Sequence, residues 1–421
     1  MSGEVYKTRD VFVAGGTPRV TYNPRNDLQL EDEVRSYLEQ PGKALSVSGP
    51  TKSGKTVLVE RFLGRRDAIW MHGSDLTSAN SFWERIVDWM GLYDSLEITS
   101  QKSAQGGDTI SGSVGIPNIV SIGGTIGVTD MTTGTLKRGR KRAYSDVARE
   151  GLNTLAVPIV VDDFHYVRDT VKADVARAIK SLLPVTPIVM IAVPHEAMEA
   201  VRSEPDMTGR VWNLALTHWT QDELEYIATV GFKALNVADP GNVLTQQLAA
   251  VSYGAPFLMQ QLCFELVTAN NVLETASRPV TLVTPGGDWN AFLERIANRL
   301  KPDVFDKLLR GPKSRGQERI ERKFYDGVRT DIYGAVLRAL SMTGPKTTAS
   351  YQELSKVLNL KLNDPVPQTQ QITNALYHMS LIAETSRQSG DAALAYKNDV
   401  LHLLDPFLAF YLGWSGWVDK L

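Results

Sequence analysis

The chain has 421 residues, more than one compact core accommodates, so two or three domains are expected. Its 43% hydrophobic and 22% charged residues exclude wholesale disorder. The 45 basic and 47 acidic residues leave a net charge of -2, which excludes a global electrostatic pull toward nucleic acid or an acidic membrane surface.

The single cysteine, Cys263, has no partner for an internal disulfide or a thiolate metal site, as suits a reducing compartment. The opening "MSGEVYKTRD" lacks an apolar signal core, and no apolar stretch reaches the ~18 residues of a membrane span. A cytoplasmic protein with no membrane partner is the expectation.

In chain order the first strong element is the apolar strand 44–48, followed by "GPTKSGKT" and the helical run "KTVLVERFL". The spacing Gly49-x-x-x-x-Gly54-Lys55-Thr56 is that of a P-loop. Glycines let the backbone N–H groups of Gly49, Pro50 onward through Thr51, Lys52, Ser53, Gly54 and Val57 turn around phosphates, with proline itself contributing only shape. Lys55 would reach the β and γ oxygens, and the Thr56 hydroxyl would ligate Mg²⁺. The expected ligands are therefore ATP or ADP with Mg²⁺.

Strand 68–72 and helix 80–91 come next, then an unusual insertion, 94–142. Nine glycines lie between Gly106 and Gly139, and apolar residues alternate at Val120/Ile122 and Ile126/Val128, predicting a glycine-rich β-hairpin. It closes with "KRGRKR", residues 137–142, either a solvated turn or an anionic contact. Helix 143–153 leads to "LAVPIVVDDFHYV", an apolar strand ending in two acids. At the carboxyl end of a parallel strand such acids face the ligand crevice. Asp162 would hold Mg²⁺, largely through water, and Asp163 would orient or deprotonate the attacking water.

Helix 171–183, strand 187–193, helix 195–202 and strand 211–216 complete an α/β core with a parallel sheet covered on both faces. His195, at the end of strand 187–193, is a candidate γ-phosphate sensor. From Thr220 to residue 310 the pattern is helical and predicts a lid. The segment 310–323, "RGPKSRGQERIERK", reads as a basic linker. Three helices and a hairpin follow, the parts of a winged helix, with the third helix near 368–380. That helix carries Gln368, Gln370, Gln371, Thr373, Asn374 and His378 but no lysine or arginine, which favours a packing or protein-contact module over DNA readout.

Together these segments resemble the AAA+/STAND-like P-loop ATPases of the origin-recognition, archaeal-ATPase and signalling kinds. The resemblance spans roughly residues 10–415 and implies an ASCE-type core (1–219), a helical lid (220–310) and a C-terminal winged helix (311–421). It implies that Tyr22 and Pro24 of "RVTYNPRNDLQLEDEV" touch adenine, with Arg25 beside them, although the family's Gly-Arg-Glu pattern is replaced by Tyr-Asn-Pro-Arg. Gly254-Ala255-Pro256 matches the lid's Gly-x-Pro, placing Pro256 near the phosphates. Arg210, or Arg202, would be an arginine finger acting on a neighbouring subunit. The Asp-Asp end of the acid-bearing strand, in place of Asp-Glu, implies slow hydrolysis. The expectation is a switch ATPase that assembles with itself on ATP and acts through a separate effector. The alternative is a DNA-binding loader or adaptor that uses the winged helix and the basic segments.

Overall fold

The structure is a computed structural model and describes residues 4–40, 42–92, 95–100, 134–139, 142–193, 204–313, 319–344, 346–386 and 392–420. Two compact units divide the chain, each built from several segments. One comprises Leu30–Ser48 and Leu58–Ala215, and the other comprises Met1–Gln29, Gly49–Val57 and Leu216–Leu421.

The first unit is the α/β core. Its strands are β1 (Ala44–Ser48), β2 (Ile69–His72), β5 (Ile159–Asp162), β6 (Ile188–Ala192) and β7 (Val211–Ala215), all parallel, in the order β2-β5-β6-β1-β7. Every residue of β1 and β6 is buried, as expected for central parallel strands whose runs are continuously apolar or small. The helices of this unit are α2 (Leu30–Leu38), α4 (Ala79–Met90), α5 (Tyr144–Leu155) and α6 (Asp169–Leu182). Phe82 and Ile86 of α4, Leu152 of α5 and Ile179 of α6 pack with Ile159, Val161 and Ile188 in one apolar cluster. Helix α4 starts at Ser78, whose side chain accepts from the Ser81 N–H in a capping box, and ends at Gly91 in the left-handed region.

The glycine-rich insertion is described only at its two ends. The paired strands are β3 (Ser95–Ser100) and β4 (Gly134–Gly139), antiparallel, with Ser95 opposite Gly139 and Ser100 opposite Gly134. They are the two ends of the insertion, where glycine is scarcer, whereas the alternation around Val120 to Val128 lies outside the described residues.

The second unit holds a short N-terminal helix α1 (Thr8–Val11), the lid helices and a winged helix. The lid comprises α7 (Gln221–Ala234), α8 (Val243–Ala250), α9 (Pro256–Ala269), α10 (Trp289–Arg299) and α11 (Val304–Arg310), with β8 (Val237–Ala238) and β9 (Val280–Thr281) as a small parallel pair. Strands β10 (Arg322–Phe324) and β11 (Arg329–Thr330) follow, and then the winged helix proper. Its elements are α12 (Ile332–Ser341), β12 (Thr348–Ser350), α13 (Tyr351–Lys361), β13 (Leu362–Asp364), α14 (Thr369–Ser386), β14 (Leu394–Lys397), β15 (Val400–Leu403) and α15 (Pro406–Trp414).

β12, β15 and β14 form an antiparallel sheet in that order. The β14–β15 hairpin turns on Asn398 and Asp399, both at positive φ, the two-residue geometry that matches strand twist and that these residue types tolerate. One apolar cluster runs from the lid, through Leu258, Leu262 and Leu266 of α9, into the winged helix, through Val336 and Leu337 of α12 and Leu376 of α14. Cys263 is fully buried in it and burial pushes its thiol well up, so it behaves as a small apolar side chain.

Candidate nucleotide site

Strand β1 delivers the chain to Gly49, and the loop 49–54 runs directly into helix α3 (Lys55–Phe62). Gly49 is required by space: a Cβ there would lie 2.9 Å from the Leu216 carbonyl oxygen. Gly54 is required by conformation, at φ +93. The Lys55 ammonium donates to the carbonyls of Gly49 (2.8 Å) and Pro50 (2.9 Å), so it sits across the mouth of its own loop, nearly buried. Thr56 and Val57 form the first turn of α3, where helix N–H groups favour an anion.

The loop is walled by residues remote in sequence. Trp219, just before α7, donates its indole N–H to the Ser53 carbonyl at 2.9 Å, and its backbone N–H bonds the Gly254 carbonyl at 3.3 Å. Gly254 is at φ +70 and Pro256 opens α9. A small cleft is lined by Pro50, Thr51 and Ser53 of the loop, by His218, Tyr253, Gly254 and Ala255, and by Leu403, Leu404 and Pro406 of the winged helix. Burial lowers the His218 imidazole below its ordinary range. Lys52, at φ +64, places its ammonium 5.3 Å from the Phe257 ring centre and 5.9 Å from that of Phe407. Those rings meet edge to face at 5.1 Å.

Arg25 is also in this unit, and its guanidinium is taken up by the segment before α7. It donates to Glu223 Oε1 (2.8 Å), the Thr217 carbonyl and hydroxyl, and the His218 carbonyl (3.2 Å each), and lies 5.0 Å over the Trp219 ring. Asn23 supports it, accepting from the Arg25 N–H and donating to the Glu223 carbonyl. The arginine thus holds the wall of the site, with four of its five N–H donors engaged there. Tyr22 and Pro24 beside it are half-buried.

In the α/β core, β5 ends at Asp162, and Asp163 follows at φ +52 with its N–H bonded to Asp162 Oδ1 (3.0 Å). Its carboxylate meets His72 Nε2 at 3.0 Å, while His72 Nδ1 meets the Ser74 hydroxyl at 2.6 Å and the imidazole stacks on Tyr166. Parallel pairing brings this about, since His72 lies opposite Asp162 in the β2–β5 register. A side chain at Gly73 would collide with the Asp163 carbonyl, so the two strand ends approach as closely as glycine allows. The reading of the sequence missed His72, because "IWMH" reveals it only once β2 and β5 are known to be neighbours.

Strand β6 separates β1, which leads into the P-loop, from β5, which carries the acids. Lid and winged helix follow in the chain. This is an α/β P-loop NTPase fold with a helical lid and a winged helix.

Some solved structures are similar to this chain at low identity. The ORC2 protein of Aeropyrum pernix, in ADPNP–ADP complexes, is similar at 13% identity over 99% of this chain and 98% of that one, with a TM-score of 0.49. Cdc6p of Pyrobaculum aerophilum is 12% identical over 99% of both chains, at 0.41. The A. pernix ORC1 protein, solved in complex with DNA, is 13% identical over all of both chains, at 0.42. No family model and no curated protein matches the chain.

Arg210 precedes β7 and is exposed, and its carbonyl accepts from the Ala44 N–H at the start of β1. That is the opposite end of the sheet from Ser48, about 16 Å away at ~3.3 Å per strand residue. Such a position leaves the arginine no role at its own chain's crevice. His195, Arg202, Arg140 and Lys141 lie outside the described residues.

Two arginines of the basic stretch 310–323, Arg319 and Arg322, are engaged internally. Arg319 bonds Asp331 (2.5 Å) and the carbonyls of Arg310 and Pro312. Arg322 is buried against the Pro365 carbonyl and Gln371, and Arg338 of α12 pairs bidentately with Asp326 over the Phe324 ring. On α14, Gln371 is held by Arg322 and by the Gln368 N–H, and His378 by the Tyr333 hydroxyl at 2.8 Å. Asn374, Tyr377 and Leu381 face outward.

Proposed function

We propose that the protein is an ATP-binding molecular switch that hydrolyses ATP slowly, changes conformation or assembles on binding ATP with Mg²⁺, and acts through a partner. On this reading residues 1–219 act as the ATPase core, 220–310 as the lid and 311–421 as the winged-helix module. The observation that carries it is the loop Gly49–Thr56 between a buried parallel strand and a helix N-terminus, with the Lys55 ammonium at its mouth.

Mg²⁺ fits the donors available. Thr56 and Asp162 offer hydroxyl and carboxylate oxygens, the ligands it prefers, and it would supply charge neutralisation on the phosphates. Among the described residues no cluster of three His, Cys, Asp or Glu would hold a metal alone, so the ion would arrive with the nucleotide. Lys55 would bind the β and γ oxygens. Asp163, oriented by His72, would accept a proton from water or align it. The Asp163 carboxylate is shorter than a glutamate and already bonded to His72, which supports slow turnover. Arg210 would serve a neighbouring subunit, since its own crevice is out of reach.

Calorimetry and phosphate release test this. Lys55→Ala should weaken ADP and ATP binding roughly tenfold to a hundredfold, the scale of charge-assisted hydrogen bonds. Asp163→Asn should keep nucleotide binding and lower phosphate release by roughly 100-fold or more. Equal phosphate release by wild type and Asp163→Asn would refute the catalytic assignment.

The winged-helix fold favours a second reading, a DNA-binding loader or adaptor. Against it stands the internal pairing of Arg319, Arg322 and Arg338.

A further inference from the structure

We propose that Trp219 is a positioning residue for the phosphate cradle, orienting the Gly54 amide through the Ser53–Gly54 peptide and passing the state of the loop to the N-terminal segment and the lid. This rests on the nucleotide reading above.

A P-loop works only if its N–H groups point inward, and each is one half of a rigid peptide plane. In a trans peptide the C=O and the following N–H point in opposite directions. The Ser53 carbonyl accepts the Trp219 indole N–H at 2.9 Å, so the Gly54 N–H on the same plane is turned away from the indole. Gly54 adopts φ +93, a region where a peptide otherwise flips at little cost, so the plane needs an external restraint. The indole supplies a directional one, because its single donor has only that carbonyl to serve.

The ring and its backbone are themselves restrained. The Arg25 guanidinium lies 5.0 Å over its face, held there by Glu223, Thr217 and His218. The Trp219 backbone N–H bonds Gly254 of the Gly-x-Pro turn. Glu223 closes the chain of contacts, since its second oxygen accepts the Thr220 N–H in the capping box that starts α7. A shift of the Ser53–Gly54 peptide on binding a diphosphate therefore moves the indole, and with it the start of the lid and the N-terminal loop.

The test compares ADP with AMP, which lacks the β-phosphate the cradle serves. Calorimetric titrations of the full chain use wild type, Trp219→Phe, which keeps the ring but loses the donor, and Trp219→His, which keeps a ring N–H. Trp219→Phe should bind ADP roughly three- to tenfold more weakly, the range of one hydrogen bond, with AMP affinity and melting temperature unchanged. Trp219→His should recover part of the loss. Wild-type ADP affinity in Trp219→Phe, or an equal loss for ADP and AMP with a lowered melting temperature, overturns the inference. Hydrogen exchange on wild type gives a second measurement that needs no variant. Exchange in 216–223 should slow when ADP binds, and unchanged exchange with ADP bound overturns it. If wild type takes up no nucleotide at all, the nucleotide reading falls first, and this inference falls with it.

Discussion

Arg25 carries four hydrogen bonds to Glu223, Thr217 and His218 while its side chain is almost wholly buried. Removing one partner of such a pair leaves the other in a place built for two charges. Arg25→Ala should therefore cost about 3 kcal/mol of stability, read by denaturant unfolding, with a lysine recovering little because it lacks the planar fork. A variant within about 0.5 kcal/mol of wild type would show that the N-terminal loop is not anchored this way. The residue scale also shows where the sequence speaks clearly. Glycine and lysine spacing in the P-loop states its own geometry, because each type is demanded locally. His72 and Trp219 are silent in sequence, since their roles arise from partners 91 and 166 positions away.

At the scale of elements, strands and helices of the core were legible to within two residues, because central parallel strands are unbroken apolar runs and the helices carry caps. Strand 187–193 is observed as Ile188–Ala192 and helix 171–183 as Asp169–Leu182. The helix read at 195–202 lies outside the described residues, as does the alternation read at Val120 to Val128, while the described ends of the insertion pair as an antiparallel ladder.

One element makes a pH prediction. Asp405 caps α15, accepting from the Phe407 N–H at 2.9 Å, and burial raises its carboxyl above 3.8, opposed in part by Lys52. A folded-state pKa above the unfolded one contributes stability that is complete below the unfolded value and is lost as pH rises through the folded one. Asp405→Asn keeps the cap and removes the titration. The stability of wild type relative to this variant should fall as pH rises from about 3.8, and parallel melting curves across that range would contradict the burial of Asp405.

For the whole molecule, the division into a parallel sheet, a lid and a winged helix followed from the order of periodicities. The assignment of residues 49–57 to the unit of the lid and winged helix did not, because chain order hides which segments share a core. Two predictions belong to this scale. Sizing with ADP and with a non-hydrolysable ATP analogue should show assembly with the analogue alone, and identical elution would remove the assembly step from the proposed switch. Duplex DNA affinity, if measurable, should change little with salt, with a log–log slope no steeper than about -2, because Arg319, Arg322 and Arg338 are committed inside the protein. A steep slope that lessens on neutralising Arg138, Arg140 and Arg142 would favour the loader reading.

The contact between Lys52 and the rings of Phe257 and Phe407 bears on how the protein is handled at the bench. A chain shortened at residue 310 to isolate a minimal ATPase would lose Leu403, Leu404 and Pro406, which line the cleft beside the P-loop, and with them Phe407. It would also leave Phe257 without its edge-to-face mate and Lys52 with one aromatic face instead of two. Nucleotide affinities from such a fragment would describe a half-open pocket that the intact polypeptide does not possess.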